Sequence, residues 1–416
     1  MSGPHGTGAR APRVLVVNSG KAEAVDRLRA AAPDAGIDVI TERAYAPMYT
    51  PDVRLHFVED IADLTAVRRV ALDLWARGPV DHVVAPSERS LPAGGYLRSF
   101  LGLPGIGFET ANRFSNKAVM KAALGAAGLP VAPHRVIASL DGAPAAAAEL
   151  GWPVVLKPAL GTGSMNTFAL ASPAALEALL GSPEAEGLRR ASCPLLVERF
   201  VEMEGEYHCD GVVSDGEVAF AAVQRYFMPL LGQTDAFTGS YLLPEDDPAV
   251  SAVRALHRAT VTALGLTDGV THMEVFGTEE GFVIGEISCR PAGGGIVDAV
   301  RMKYGVDLWR VFMDTSLGRP AGVRGPVAPL REEVIANCDL PVRPGRVLRV
   351  STAEELSRVP DVIEVRMTTR TGDIIGRRLH SASTTGLVFL ATAEPSLVAK
   401  RVEDLARAYV LEVAPD

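Results

Sequence analysis

Between Arg13 and Glu42 the apolar residues fall first into a block, then into a helical rhythm, then into a second block. RVLVVN (13–18) is a continuous apolar run of strand length, Glu23–Ala32 spaces its apolar residues as one face of a helix, and IDVITE (37–42) is strand-like again. That order predicts a βαβ unit in an α/β lobe. DHVVAPSE (81–88) adds a strand that ends in polar residues. SNKAVMKAALGAAG (115–128) predicts a helix opened by Ser115 and closed at Gly128, and Pro130 and Pro133 mark a boundary after it. Residues 134–205 alternate short strands and helices as a small mixed lobe. Residues 206–325 read as strands and helices of a further lobe, and RPAGVRGPVAP (319–329) is a connection. From 330 to 416 short strands alternate with turns such as RTGD (370–373), and a helix is expected near Ser396–Tyr409. The expected class is α/β, made of α+β lobes. The divisions fall at 1–12 (a loose tail), 13–114, 115–205, 206–325 and 326–416.

Composition changes this picture little. A chain of 416 residues exceeds one compact core, and 48% hydrophobic with 22% charged residues is globular. The longest apolar runs are far short of a membrane span. MSGPHGTGARAP has no apolar signal-peptide region, so a cytoplasmic protein is expected. A net charge of -9 argues against nucleic acid as the main partner, though a phosphate ligand needs only a local basic site. Cys193, Cys209, Cys289 and Cys338 form no CxxC pair and are expected to be reduced thiols. No GxGxxG follows Val17, so a nicotinamide site is poorly supported.

Three stretches carry chemistry. THMEVFGTEEGFVIGEISCR (271–290) reads as a hairpin around a TEEG turn. Glu286, Ser288 and Arg290 share one face of the second strand, and His272, Glu274 and Phe276 share one face of the first. A turn centred on residue 280 sets Glu274 opposite Glu286. Two carboxylates that close require a cation between them or a shared proton, and hard oxygen ligands suit Mg²⁺ or Mn²⁺. A register shifted by one residue would instead turn one acid to water. VVLKPALGTGSMNTFALA (154–171) delivers Lys157 from an apolar strand into a loop containing Gly161, Gly163 and Ser164. Such a loop folds its N–H groups over phosphates, and a lysine there calls for an anion. A plain hairpin with a snorkelling lysine is the alternative. PLLVERFVEMEGEYHCDG (194–211) leaves a core at Glu198–Val201 and reaches Glu206. Its backbone suits a purine edge and its acid suits ribose hydroxyls if a nucleotide is present. Otherwise both acids are solvated surface groups.

Taken together these residues resemble the ATP-grasp superfamily. Lys117 on a helix, Lys157 before a glycine loop, Glu198 followed by Gly205-Glu206-Tyr207, and Glu274 with Glu286-x-x-x-Arg290 occur in its order and spacing. The chain looks most like bacterial L-amino acid ligases and carnosine-synthase-like enzymes. The resemblance implies an ATP-grasp fold with an N-terminal α/β pre-ATP-grasp domain, a two-lobed ATP clamp and a C-terminal β-rich subdomain. It implies ATP and Mg²⁺ (or Mn²⁺), amino acids as small-molecule substrates, and the dimeric state common among relatives. Lys117 and Lys157 would then contact phosphates, and Gly161, Gly163 and Ser164 would cover them. Glu198, Phe200 and Val201 would hold adenine, and Glu206 the ribose. Glu274 and Glu286 would hold metal, and Arg290 would stabilise the transferred phosphoryl. Ser288 stands where many members carry Asn, which weakens a second metal site, and Thr238-GSYLLP departs from the usual Gly-His. On the substrate side, Gly293, Gly294 and Gly295 would bring backbone N–H groups to a carboxylate, although a helix start at Ile296 takes glycine anyway. Arg225, Tyr226, Phe227 and Tyr241 are candidates for the substrate wall, although aromatic residues there suit a core equally, and Glu88 is a candidate for an amine. Two other functions compete with the ligase: a carboxylase-type enzyme activating bicarbonate, for which no biotinyl-lysine signature is present, and a nucleotide-binding module without turnover.

Overall fold

The computed structural model describes residues 10–231, 236–376 and 383–414, so most of the expected 1–12 tail lies outside the described residues. Two compact units divide the chain: Met1–Asn112 with Trp309–Ala321, and Arg113–Leu308 with Gly322–Asp416.

The first unit is built on a parallel sheet of β1 (Arg13–Val17), β2 (Gly36–Glu42), β3 (Arg54–Val58) and β4 (His82–Val84), in the order β3-β2-β1-β4. The Ala24–Ala31 helix joins β1 to β2, as the block–rhythm–block pattern requires. Leu15, Val17, Ile40 and Val83 meet Val67 and Leu74 of the Leu64–Trp75 helix in the core. Asp38 on β2 is buried among cations. Arg54 donates to it at 2.9 and 3.2 Å, Arg13 at 3.3 Å, and His56 Nε2 lies 3.0 Å away. Burial pushes this carboxyl up, but the Arg54 and His56 hydrogen bonds outweigh it and hold it down to about 2, from 3.8. A folded value below the unfolded one gives stability that is present above about pH 4 and lost as pH falls toward 2. We expect Asp38→Asn to destabilise this unit at pH 7 and to match the wild type near pH 2. Urea unfolding at the two pH values checks it, and a pH-independent gap would refute it.

The second unit opens with the Lys117–Ala126 helix. Its N-cap is Asn116, whose carboxamide accepts from Ala118 and Val119, and not Ser115, which is buried one residue earlier. A four-stranded antiparallel sheet follows, with β5 (His134–Ile137), β6 (Val154–Pro158), β7 (Phe168–Leu170) and β8 (Leu195–Arg199) in the order β5-β8-β6-β7. Strands β9 (Gly205–Ser214), β10 (Glu217–Tyr226), β11 (Thr238–Leu242), β12 (Gly269–Thr278), β13 (Gly281–Ser288) and β14 (Val334–Asp339) belong to a large sheet. β15 (Gly345–Val350), β17 (Ile374–Ile375) and β19 (Leu411–Ala414) make a small third sheet, while β16 (Val362–Met367) and β18 (Gly386–Thr392) extend the large one. The order of the large sheet is β13-β12-β9-β10-β11-β14-β18-β16, so it continues across the 319–329 connection through the β11–β14 pair. The tail does not end at its helix: Ser396–Ala408 is followed by β19.

Strand register gives the large sheet two faces of different chemistry. Cys209, Val223, Met273 and Ile287 are paired neighbours, all buried, on the face that packs on the Pro248–Leu264 helix. The other face is polar and holds the candidate site.

Candidate active site

The β12–β13 hairpin sets Glu274 directly opposite Glu286, and His272 opposite Ser288. The route to that pairing differs from the simplest expectation. The turn pairs Thr278 with Gly281, half a residue off a centre at 280, and a one-residue bulge at Gly285 restores the register before Glu286. A side chain at Gly285 would sit 3.0 Å from the Phe276 ring and 3.2 Å from the Glu274 carbonyl, so the bulge needs glycine. The polar face then runs through paired neighbours: Glu286 and Ser288, Glu274 and His272, Glu206, His208 and Asp210, Gln224 and Tyr226, Ser240, and finally Asn337 and Asp339.

Cations come from two other elements. Lys117 Nζ lies 3.1 Å from Glu286 Oε2 and donates to the Gly161 carbonyl at 3.0 Å. One turn on, Lys121 Nζ lies 3.5 Å from Glu198 Oε1, and Lys157 Nζ lies 3.1 Å from the same oxygen. Positions 117 and 121 share a helix face, so this helix ties the large sheet to the small one. Sequence reasoning missed Lys121; the signal was its i+4 spacing from Lys117 in a helix otherwise rich in alanine. Glu198 and Glu206 are both buried, which removes the solvated alternative for each. Glu198 faces the two lysines: Val155 pairs with Glu198 and Lys157 with Leu196, so all four lie on one face of the small sheet. Burial pushes its carboxyl up, but Lys157 and Lys121 hold it below the ordinary value. Glu286 is held down to about 2, burial being outweighed by Lys117, Lys157 and Arg290. Burial lowers Lys121.

A second set of residues, of which the hairpin reading had only His272, supports Glu274. Asp210 accepts from His208 Nδ1 at 2.6 Å and His272 Nδ1 at 2.9 Å, and His272 Nε2 lies 3.6 Å from Glu274 Oε1. Burial lowers His272, but Asp210 and Glu274 raise it to about 9, so a cationic imidazole sits behind Glu274. Glu206 accepts from the Leu230 N–H at 2.9 Å, and burial and the nearby Glu274 push it up to about 8. Three carboxylates converge here with a buried Ser288 hydroxyl that has no partner among the described residues. That donor set, all of it oxygen, fits a hard divalent cation.

The glycine loop joins β6 to β7, with Gly163 and Ser164 at φ +63° and +56°. Phe200 follows β8, its N–H donating to the Pro153 carbonyl at 3.0 Å, and half-buried Val201 comes next. Arg290 follows β13; its guanidinium donates to the Pro291 carbonyl at 3.1 Å, and its charge acts on Glu286 and Tyr226. Gly294 and Gly295 take φ of +59° and +79° before the Ile296–Tyr304 helix, and the preceding Gly293 carbonyl accepts from the Ile296 N–H at 3.1 Å. Tyr226 lies on the polar face against His208, with ring centroids 4.6 Å apart. Arg225 and Tyr241 do not join it. They pair with each other one position out of phase, which turns them to the opposite face, where Arg225 lies over the Tyr207 ring at 5.4 Å and Tyr241 stacks on Phe227. Glu88 belongs to the first unit, buried at the start of the turn Glu88–Ser90 beyond β4. All four cysteines are thiols, and Cys209, Cys289 and Cys338 are fully buried.

Known proteins resemble the chain along nearly its whole length. Residues 122–302 match the ATP-grasp domain, and residues 340–414 match the L-amino acid ligase C-terminal domain 2. The chain is 32% identical to an L-arginine-specific L-amino acid ligase of Bacillus subtilis over 97% of this chain and 98% of that protein. It is 26% identical to an alanine–anticapsin ligase of Bacillus subtilis over 58% of this chain and 55% of that protein. The crystal structure of an L-amino acid ligase from Bacillus licheniformis shares the fold, with a TM-score of 0.76 at 18% identity, covering 98% of this chain and all of that one. The α/β class and the ATP-grasp fold are therefore those of this chain.

Proposed function

The chain belongs to the L-amino acid ligases of the ATP-grasp superfamily, and from that premise we propose that it joins two amino acids into a dipeptide or related amide. The observation that carries the reading is the Glu274–Glu286 pair, held in register with Lys117 on one acid and the charge of Arg290 nearby. A retired nucleotide site would have no need of it.

The substrate carboxylate attacks the γ-phosphorus of ATP. The bond to the β-phosphate oxygen breaks, ADP leaves, and an acylphosphate forms. The amine nitrogen of the second amino acid then attacks the acyl carbon, loses a proton, and expels phosphate. Such transfers need positioning and charge neutralisation more than covalent help. Lys117 and Lys157 supply fixed positive charge for the phosphates, and the Gly161–Ser164 loop supplies N–H groups. Arg290 faces the oxygens that carry charge during transfer. Glu198 orients Lys157 together with the buried Lys121, and the backbone at Phe200 and Val201 takes the adenine edge, with Glu206 beside the ribose. Gly293–Gly295 receives the carboxylate. A divalent cation, Mg²⁺ or Mn²⁺, held by Glu274 and Glu286 would neutralise phosphate charge.

The test is ADP release with single amino acids, amino-acid pairs and bicarbonate, with products identified by mass spectrometry. We expect release coupled to an amide product only when amino acids are present. Release driven by bicarbonate alone would establish carboxylate activation of the carboxylase type instead. No release with any mixture would make the chain a binding module.

A further inference from the structure

We propose that Asp339 forms a subsite for a cationic nitrogen of an amino-acid substrate, beside the glycine loop that takes its carboxylate; the proposal rests on the ligase reading above. Asp339 ends β14, on the polar face of the large sheet, and is 9% exposed. Its Oδ1 has no hydrogen-bond partner among the described residues. A buried carboxylate without a partner is costly, and a fold keeps one where a ligand completes it. Burial pushes this carboxyl up to about 7. The contrast with buried Glu198 and half-buried Glu286 is direct, since each of those acids already has its lysine.

The glycine loop is built to lie against this acid. Asn337, two residues before Asp339 and on the same face, donates from Nδ2 to the Gly294 carbonyl at 2.7 Å. Ser240 Oγ fixes the other end of that carboxamide, 3.1 Å from Asn337 Oδ1. A Cβ on Gly294 would stand 3.1 Å from Asp339 Oδ2, and its φ of +59° also disfavours any side chain. The bare Cα therefore leaves the acid open on the loop side. A carboxylate received by the loop N–H groups and an ammonium received by Asp339 would be neighbours, the arrangement of charges in an amino acid. The cation is either the α-ammonium or a basic side chain, and both offer the same chemistry to Asp339.

Three probes separate the sources: L-lysine carries both cations, L-norleucine only the α-ammonium, and 6-aminohexanoate only the distal one. Their affinities for the full chain with MgADP are measured by calorimetry in the wild type and in Asp339→Asn. If the α-ammonium is bound, the substitution weakens L-lysine and L-norleucine about 100-fold and leaves 6-aminohexanoate unchanged. If the side-chain cation is bound, L-lysine and 6-aminohexanoate weaken and L-norleucine does not. Equal weakening of all three, no change in any, or no binding by the wild type overturns the subsite. MgADP affinity and melting temperature report folding of the variant. Should Asp339→Asn fail to fold, Asp339→Glu, which keeps the charge one methylene away, takes its place, with the same discrimination between probes required. Ligation assays run beside the titrations keep the two readings apart. Probe binding that depends on Asp339 without any ligation would sink the ligase function and leave the subsite. Ligation with probes indifferent to Asp339 would sink the subsite alone.

Discussion

Glu286→Gln is expected to reduce ATP turnover at least about a thousandfold while the protein stays folded. The substitution keeps the volume of the side chain and leaves an oxygen that accepts from Lys117, which retains the Gly161 carbonyl as well. What it removes is the charge. Glu286 is held down to about 2 by Lys117, Lys157 and Arg290, so it keeps the charge that holds a cation. Glu206, at about 8, is protonated at neutral pH and cannot replace it. Single-turnover ADP release measures the loss, Mn²⁺ binding followed by electron paramagnetic resonance measures its cause, and the melting temperature checks the fold. Undiminished ATP consumption would remove Glu286 from the metal site.

The reason Glu286 was readable in advance is also the reason other residues were not. Alternation along one hairpin set Glu274, Glu286 and Ser288 on a common face, because a local pairing needs only the turn. Even there the sequence hid the bulge at Gly285, which depends on the Phe276 ring and the Glu274 carbonyl crowding that position. Arg225 and Tyr241 looked like a substrate wall because they are aromatic and basic near a loop. Their direction is fixed by the β10–β11 register, which no local pattern states. Asn337 and Asp339 come from a strand beyond the 319–329 connection, and only the β11–β14 pairing brings them to the site. Lys121 was hidden differently: lysine is common on helix surfaces, and only the packing of that helix between two sheets buries it.

That burial makes Glu198 the position where loss of one charge should cost the most stability. Glu198 is the shared counter-ion of Lys121, 1% exposed, and of Lys157. Removing one partner of a buried ion pair typically costs about 3–5 kcal/mol, because the remaining charge stays desolvated without compensation. Glu198→Gln leaves two lysines facing each other across the position of the lost carboxylate, and we expect a loss in that range. We also expect the loss to fall on the small sheet first, since Glu198 lies between β5 and β6 there. Chemical denaturation gives the magnitude, and hydrogen exchange at β6 and β8 gives the place. The same argument predicts its own repair. Lys121→Met in the Glu198→Gln background removes the orphaned charge and fills its volume with an apolar chain, so at least about 2 kcal/mol should return. Nucleotide binding should not return with it, because Lys157 still lacks the acid that orients it toward the phosphates. A Glu198→Gln protein as stable as the wild type would mean that water reaches the two lysines, and the charge-tied helix between the sheets would fall with it.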